Sequence, residues 1–174
     1  MSLKQLLEIH KYGDEILKQK GITIKNINQS IIDLISKMRE TLHVTPNAIG
    51  LAAPQVGESL MLSVIDLSMG KEESEFITLL NPFIEEEEGV EIDSEGCLSF
   101  PNISLDIRRS KKILLKGIDL NGKEYEKEYS GYIARVIQHE IDHLNGILIA
   151  DRVSPLKRQL MKKEIKRLKK NGEW

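Results

Sequence analysis

In this 174-residue chain, the string His139-Glu140-Ile141-Asp142-His143 points most directly to chemistry by residue type and spacing. On a helix, residues four apart share a face, so two imidazoles can close on one divalent ion while Glu140 stands beside them as a base. Turning about 100° per residue from Ile133 puts Val136, Ile137, Glu140, Ile141 and Leu144 on one apolar stripe with it, flanked by the two histidines. Burial among such neighbours would raise the pKa of Glu140 toward a range suited to exchanging protons. The same positions also fit a helix face used only for packing. Two imidazoles are one ligand short of a hydrolytic centre, which takes three protein ligands and leaves one position for water.

Three continuations could supply the third ligand. The H-E-x-x-H-x-x-G-x-x-H pattern is followed as far as Gly146, but Ile149 then stands where a ligand is required. Glu164, 21 residues beyond His143, would serve a zinc metallopeptidase, although Lys162, Lys163, Lys166 and Arg167 surround it with ion-pair partners. Upstream, Glu95-Gly96-Cys97-Leu98-Ser99 holds the only cysteine, and a thiolate binds iron, zinc or nickel well. Gly96 would let the backbone approach a ligand closely. A free cysteine also serves as a core filler, and a non-catalytic metal or thiol sensor stays open. A third stretch, Gly50-Leu51-Ala52-Ala53-Pro54-Gln55-Val56-Gly57, reads as a turn or small-residue packing strip, except that a Gln beside a metal-bound carbonyl can donate to an oxyanion.

The elements that must carry these residues follow from periodicity. Ile27 to Leu42 has helical spacing; Leu60 to Leu67, Phe76 to Ile84, Lys111 to Leu120 and Lys123 to Tyr129 read as strands; Gly131 to Asn145 and Pro155 to Lys170 read as two more helices. Asn121-Gly122 marks a hairpin. The order predicts an α+β domain: mixed or antiparallel β-sheets packed around a central metal-binding helix, with an N-terminal and a C-terminal helix. One domain over residues 1–174 suits the 19.8 kDa mass.

A net charge of -2 argues against dedicated DNA binding, but residues 152–174 carry nine basic against two acidic side chains. On the last helix Leu156, Leu160, Met161, Ile165 and Leu168 trace an apolar face, which leaves the basic residues on the other. Glu85 to Glu88 reads as an exposed strand edge or turn. No apolar run reaches the ~20 residues of a membrane span. The opening Met1-Ser2-Leu3-Lys4-Gln5 leads into charge instead of a signal-peptide core. A lone cysteine suits a reducing compartment, so a cytoplasmic location is expected.

Taken in order, G-L-A-A-P-Q, E-G-C-L-S and Q-H-E-I-D-H closely resemble the three signature motifs of the bacterial peptide deformylases, and the motif spacing and long final helix resemble the Gram-negative-type branch. The resemblance implies removal of the N-formyl group from the formylmethionine of new polypeptides. It places the metal ligands on Cys97, His139 and His143, the catalytic Glu on Glu140, and the oxyanion donors on the Gln55 side chain and the Leu98 N–H. Substrate-backbone contacts fall around Ile49, Gly50 and Gly96. Ferrous iron is the expected native ion, with zinc, nickel or cobalt able to substitute. Ile49, Ile133 and Val136 are expected to wall the methionine pocket, and the basic helix to dock on the ribosome. Two positions depart from the family pattern. Ala48 stands where a Gly is common, and a positive φ there would cost Ala about 1 kcal/mol; Ser104 stands where an Arg is common in the substrate groove.

Overall fold

The structure is a computed structural model that describes residues 6–72 and 75–174; the opening pentapeptide lies outside them. Helix α1, Gln29–Val44, begins where the Asn28 side chain accepts from the Ile31 N–H, covering an amide that has no partner within the helix. Its apolar face, Ile31, Ile35, Met38 and Leu42, packs on Leu51, Leu62, Val64 and Leu80 of the sheet. The cap sets the start two residues later than periodicity alone suggested.

The described strands are β1 (Gly50–Ala52), β2 (Leu62–Asp66), β3 (Phe76–Glu88), β4 (Glu91–Cys97), β5 (Phe100–Arg109), β6 (Lys112–Ile118) and β7 (Glu124–Ser130). Five form one sheet in the order β1-β2-β3-β6-β7, and β4 pairs with β5 in a second, two-stranded sheet. Every pairing between named strands is antiparallel. The expected hairpin joins β6 to β7: Gly122 adopts φ +76°, and the Asp119 N–H donates to the Lys123 carbonyl at 2.9 Å.

Glu85 to Glu88 is an exposed edge, as expected: this end of β3 runs past β2, whose pairing stops at Leu80, and among the named strands it pairs with β6 alone, with Glu86, Glu87 and Glu88 registered against Leu114, Ile113 and Lys112. Strands β4 and β5 were not foreseen, although Ile103, Leu105 and Ile107 alternate with polar residues along β5.

Helix α2, Tyr132–Leu144, runs through the centre, and every residue from Ala134 to Leu144 is buried except the half-buried His139. One side, Ala134, Ile137 and Ile141, packs on Ile65, Leu79, Ile113 and Leu115 of the large sheet. Helix α3, Pro155–Asn171, opens on Ser154, whose side chain caps the Lys157 N–H, and ends at Gly172 with φ +73°. It buries Met161, Ile165 and Leu168 against Leu17, Phe100, Ile107 and Leu148. Leu156 and Leu160, expected on that face, are exposed by 66% and 55%.

Candidate metal centre and substrate cavity

Helix α2 brings His139 and His143 together one turn apart, with ring centroids 4.9 Å apart at an interplanar angle of 71°. The end of β4 brings the Cys97 Sγ to 3.2 Å from the His143 Nε2. One ligand atom from each of Cys97, His139 and His143 lies within 4.8 Å of the others, the one such group among the described residues. Tetrahedral sulfur and nitrogen ligands of one zinc-sized ion stand about 3.5 Å apart, so this donor set fits a single ion. Glu164 does not join it. That carboxylate sits at the surface of α3, where Arg167 donates to it at 2.6 Å and holds its pKa below the usual range.

The electrostatics suit a cation. Burial opposes ionisation of the Cys97 thiol, but the charges of His143 and His139 and their hydrogen bonds outweigh it and bring the pKa down to about 5. Burial likewise opposes protonation of His139, yet its hydrogen bonds to Cys97 and Glu95 raise its pKa well above the imidazole range. The Nδ1 of His139 lies 2.9 Å from Glu95 Oε2, which fixes the ring and leaves Nε2 for a ligand. The Nδ1 of His143 is the one buried side-chain nitrogen or oxygen among the described residues with no hydrogen-bond partner. A ring proton held there without an acceptor costs about 1–3 kcal/mol.

Glu95 is itself fastened. Arg109 reaches it with Nε and Nη2, both at 2.9 Å, and Arg135 with Nη1 at 2.7 Å. The third nitrogen of Arg109 donates to Asp142 at 2.5 Å, and Arg152 grips the same carboxylate from the rim. Burial raises the pKa of Glu95, but Arg109 and His139 overcome it and hold it down at about 2. Gln138 completes the attachment, exchanging hydrogen bonds of 2.9 Å with the backbone of Ser110. Arg135, Gln138 and Asp142 thus form a polar stripe on α2 that ties down β4 and β5. Sequence reasoning missed them, although their spacing of three and four is helical; nothing local said that the far face of α2 would be covered.

Glu140 is 3% exposed. Burial raises its pKa, and the two neighbouring imidazoles offset part of that rise. Its carboxylate accepts from the Ser63 hydroxyl at 2.9 Å. Gly50 faces it so closely that a Cβ there would overlap Oε1 and lie 2.7 Å from the carboxyl carbon. A side chain at position 50 would therefore displace the Glu140 carboxylate.

The first motif forms β1 and then a 3₁₀ turn, Ala53–Val56, closed by Gly57 at φ +87°. The turn points Gln55 inward: its Oε1 accepts from the Ala52 N–H at 2.9 Å, which orients the amide. Its Nε2 lies 3.1 Å from Ser99 Oγ and 3.6 Å from Cys97 Sγ. Leu98 occupies the turn between β4 and β5, next to the sulfur.

Gly50, Gln55, Cys97, Leu98, His139 and Glu140 converge on a cavity of about 520 Å³, within the usual size of a small-ligand pocket. Of the metal-ligand, catalytic and substrate-backbone residues that the sequence assigns, all border it except His143, which lies buried beneath. Ile49 and Val136 are on its wall, joined by Phe100 and Ile103, whereas Ile133 packs instead with the α2–sheet core. Ser104 borders the groove as expected. No strain sits at Ala48, since the left-handed residue is Asn47, at φ +58°, a conformation asparagine tolerates. At Gly96 a Cβ would meet only Ser104 Oγ, at 4.0 Å, so no protein atom demands glycine there.

The family model described as "Polypeptide deformylase" matches residues 6–159. The chain belongs to the peptide deformylase family. A curated peptide deformylase of Thermodesulfovibrio yellowstonii is 48% identical over 161 residues, covering 92% of this chain and 97% of that one. A crystal structure of a peptide deformylase from Legionella pneumophila superposes with a TM-score of 0.88 at 36% identity, covering 97% of this chain and 98% of that one. For the Thermotoga maritima peptide deformylase structure the TM-score is 0.79 at 40% identity, with 87% and 99% covered. Membership in this family of metal-dependent hydrolases removes the support for a Glu164 peptidase and for a non-catalytic sensor.

Proposed function

We propose that this enzyme hydrolyses the N-formyl group of formylmethionyl polypeptides at the cavity described above, with Cys97, His139 and His143 holding one divalent ion and Glu140 acting as the proton carrier. The observation that carries the reading is the cluster of one thiol and two imidazoles beside a buried carboxylate, at the floor of a pocket with an apolar wall.

A divalent ion held there supplies Lewis acidity and lowers the pKa of water bound to it. Glu140 accepts the proton that water loses on attacking the formyl carbon. As the carbonyl becomes tetrahedral, negative charge grows on its oxygen, and the Gln55 amide and the Leu98 N–H donate to it. When the C–N bond breaks, Glu140 delivers the proton to the departing amine, and formate and the free N-terminus leave. Ile49, Phe100, Ile103 and Val136 receive the methionine side chain, while Ile49, Gly50 and Gly96 offer backbone to the peptide.

Ferrous iron is the ion we assign, as the family resemblance suggests; zinc, nickel and cobalt suit the same thiolate and imidazole donors. The chain acts as one catalytic domain in the cytoplasm. No helix among the described residues is long and apolar enough to cross a membrane. The basic face of α3, with Lys162, Lys163 and Lys166 exposed, offers a docking surface for the ribosomal RNA beside which formylated chains emerge. Deleting the chain after Pro155 would remove three core residues, so the sharper test replaces those three lysines by Glu: ribosome co-sedimentation at low salt should fall with peptide turnover retained.

The deciding assay is formate release from formyl-Met-Ala by enzyme loaded with iron under anaerobic conditions. Turnover that exceeds the zinc-loaded form supports the reading. Casein cleavage without formate release would overturn it.

A further inference from the structure

Strand β2 is buried at all five positions, Leu62 to Asp66. Its residues alternate in direction: Leu62 and Val64 pack toward α1, and Ile65 toward α2. Ser63 therefore also faces α2, at a fully buried place where packing favours an apolar side chain. Its Oγ lies 3.0 Å from the Leu51 carbonyl and 2.9 Å from Glu140 Oε2. A hydroxyl has one proton to give. Two acceptors compete for it, and the carboxylate is the nearer and, when ionised, the stronger of the two. Among the described residues the Ser63 hydroxyl gives the one hydrogen bond that the Glu140 carboxylate receives.

The other carboxylate oxygen stands differently. Oε1 is pressed against Gly50, which borders the cavity, and no Cβ intervenes. The two oxygens thus have separate surroundings, one tied to the strand behind and one facing the pocket wall.

We propose that Ser63 is a positioning residue that anchors Glu140 through Oε2, so that Oε1 is the oxygen presented to the substrate side. This rests on the role given to Glu140 above. Ser63 touches neither substrate nor ion, and it acts by restricting the carboxylate to one orientation.

The test uses metal-loaded full-length enzyme and formyl-Met-Ala. Ser63→Ala should lower kcat about tenfold, the factor that ~1.4 kcal/mol in the barrier produces. KM, metal content per chain and the thermal midpoint should stay near those of the parent. Ser63→Thr should recover most of the loss, whereas Ser63→Val, which matches threonine in shape but lacks the hydroxyl, should not. Parental kcat in Ser63→Ala overturns the proposal, as does equal turnover of the Thr and Val enzymes, which would leave only bulk to explain the effect. Glu140→Ala, assayed alongside, separates the two levels: if it is inactive while Ser63→Ala is fully active, only the anchoring idea falls; if it is active, the role of Glu140 falls first.

Discussion

The two halves of the site are held by different kinds of force. His139 and Cys97 belong to a region clamped by buried charge, in which Arg109 and Arg135 converge on Glu95 and Arg109 also reaches Asp142. Glu140 belongs to a region held by neutral contacts: one hydroxyl, one glycine, and the apolar packing of α2 on the large sheet. A metal ligand must keep its direction against a dense positive charge, and a carboxylate bonded to two guanidinium groups is a stiff support for that. A proton carrier needs a carboxyl that can both take and give up a proton, and burial among these contacts raises the pKa of Glu140 from its ordinary value.

The largest effects should separate the halves. Cys97→Ala removes the only sulfur donor and should abolish tight metal binding, whereas Glu140→Ala should retain a full complement of metal and lose turnover by a factor of 10² or more. Metal analysis and formate release on both variants check this. An Ala variant of Glu140 that loses the ion, or one that stays active, would merge the halves again.

Gly50→Ala is expected to come next. A methyl at that position overlaps the Glu140 carboxylate, so kcat should drop by about 10²-fold with metal content unchanged. In contrast, Arg109→Ala should act on metal and stability together. It leaves Glu95 and Asp142 short of a buried partner, which costs about 3–5 kcal/mol in folding, and it should weaken metal affinity by about 10–100-fold through His139. Thermal unfolding and competitive chelation measure the two.

The smallest effect is a pH dependence. The pKa of Glu95 falls on folding, from 4.5 to about 2. Its contribution to stability is therefore present above the unfolded value and is lost as pH falls from about 4.5 toward 2. Glu95→Gln should flatten that part of the acid-unfolding curve. An unchanged slope would mean that the charged clamp is not what holds this half.

The same contrast explains what the sequence made legible. The helix carrying His139 and His143 and the Asn121-Gly122 hairpin rest on local periodicity and turn chemistry, so they could be read directly. Cys97 and Gln55 stand 42 and 84 residues before His139, and only the joint order of three motifs tied them to α2. The charged clamp was illegible for a different reason. Arg109, Arg135 and Asp142 look like surface residues until the β4–β5 hairpin covers the far side of α2. That hairpin was hidden because its inward positions include Glu91 and Glu95, charged residues where a strand pattern leads one to expect apolar ones. Ser63 gave no signal at all, since a lone serine in an apolar run reads as a weak strand position. On the final helix, periodicity placed Leu156 and Leu160 inside, but there the fold offers no surface for them to cover.

The account depends on the Cys97 sulfur and the two imidazoles of α2 binding a common ion. X-ray absorption at the metal edge of the loaded enzyme tests this directly. We predict one sulfur at about 2.3 Å and two imidazole nitrogens at about 2.0–2.1 Å around each zinc ion. A first shell of nitrogen and oxygen without sulfur would contradict it.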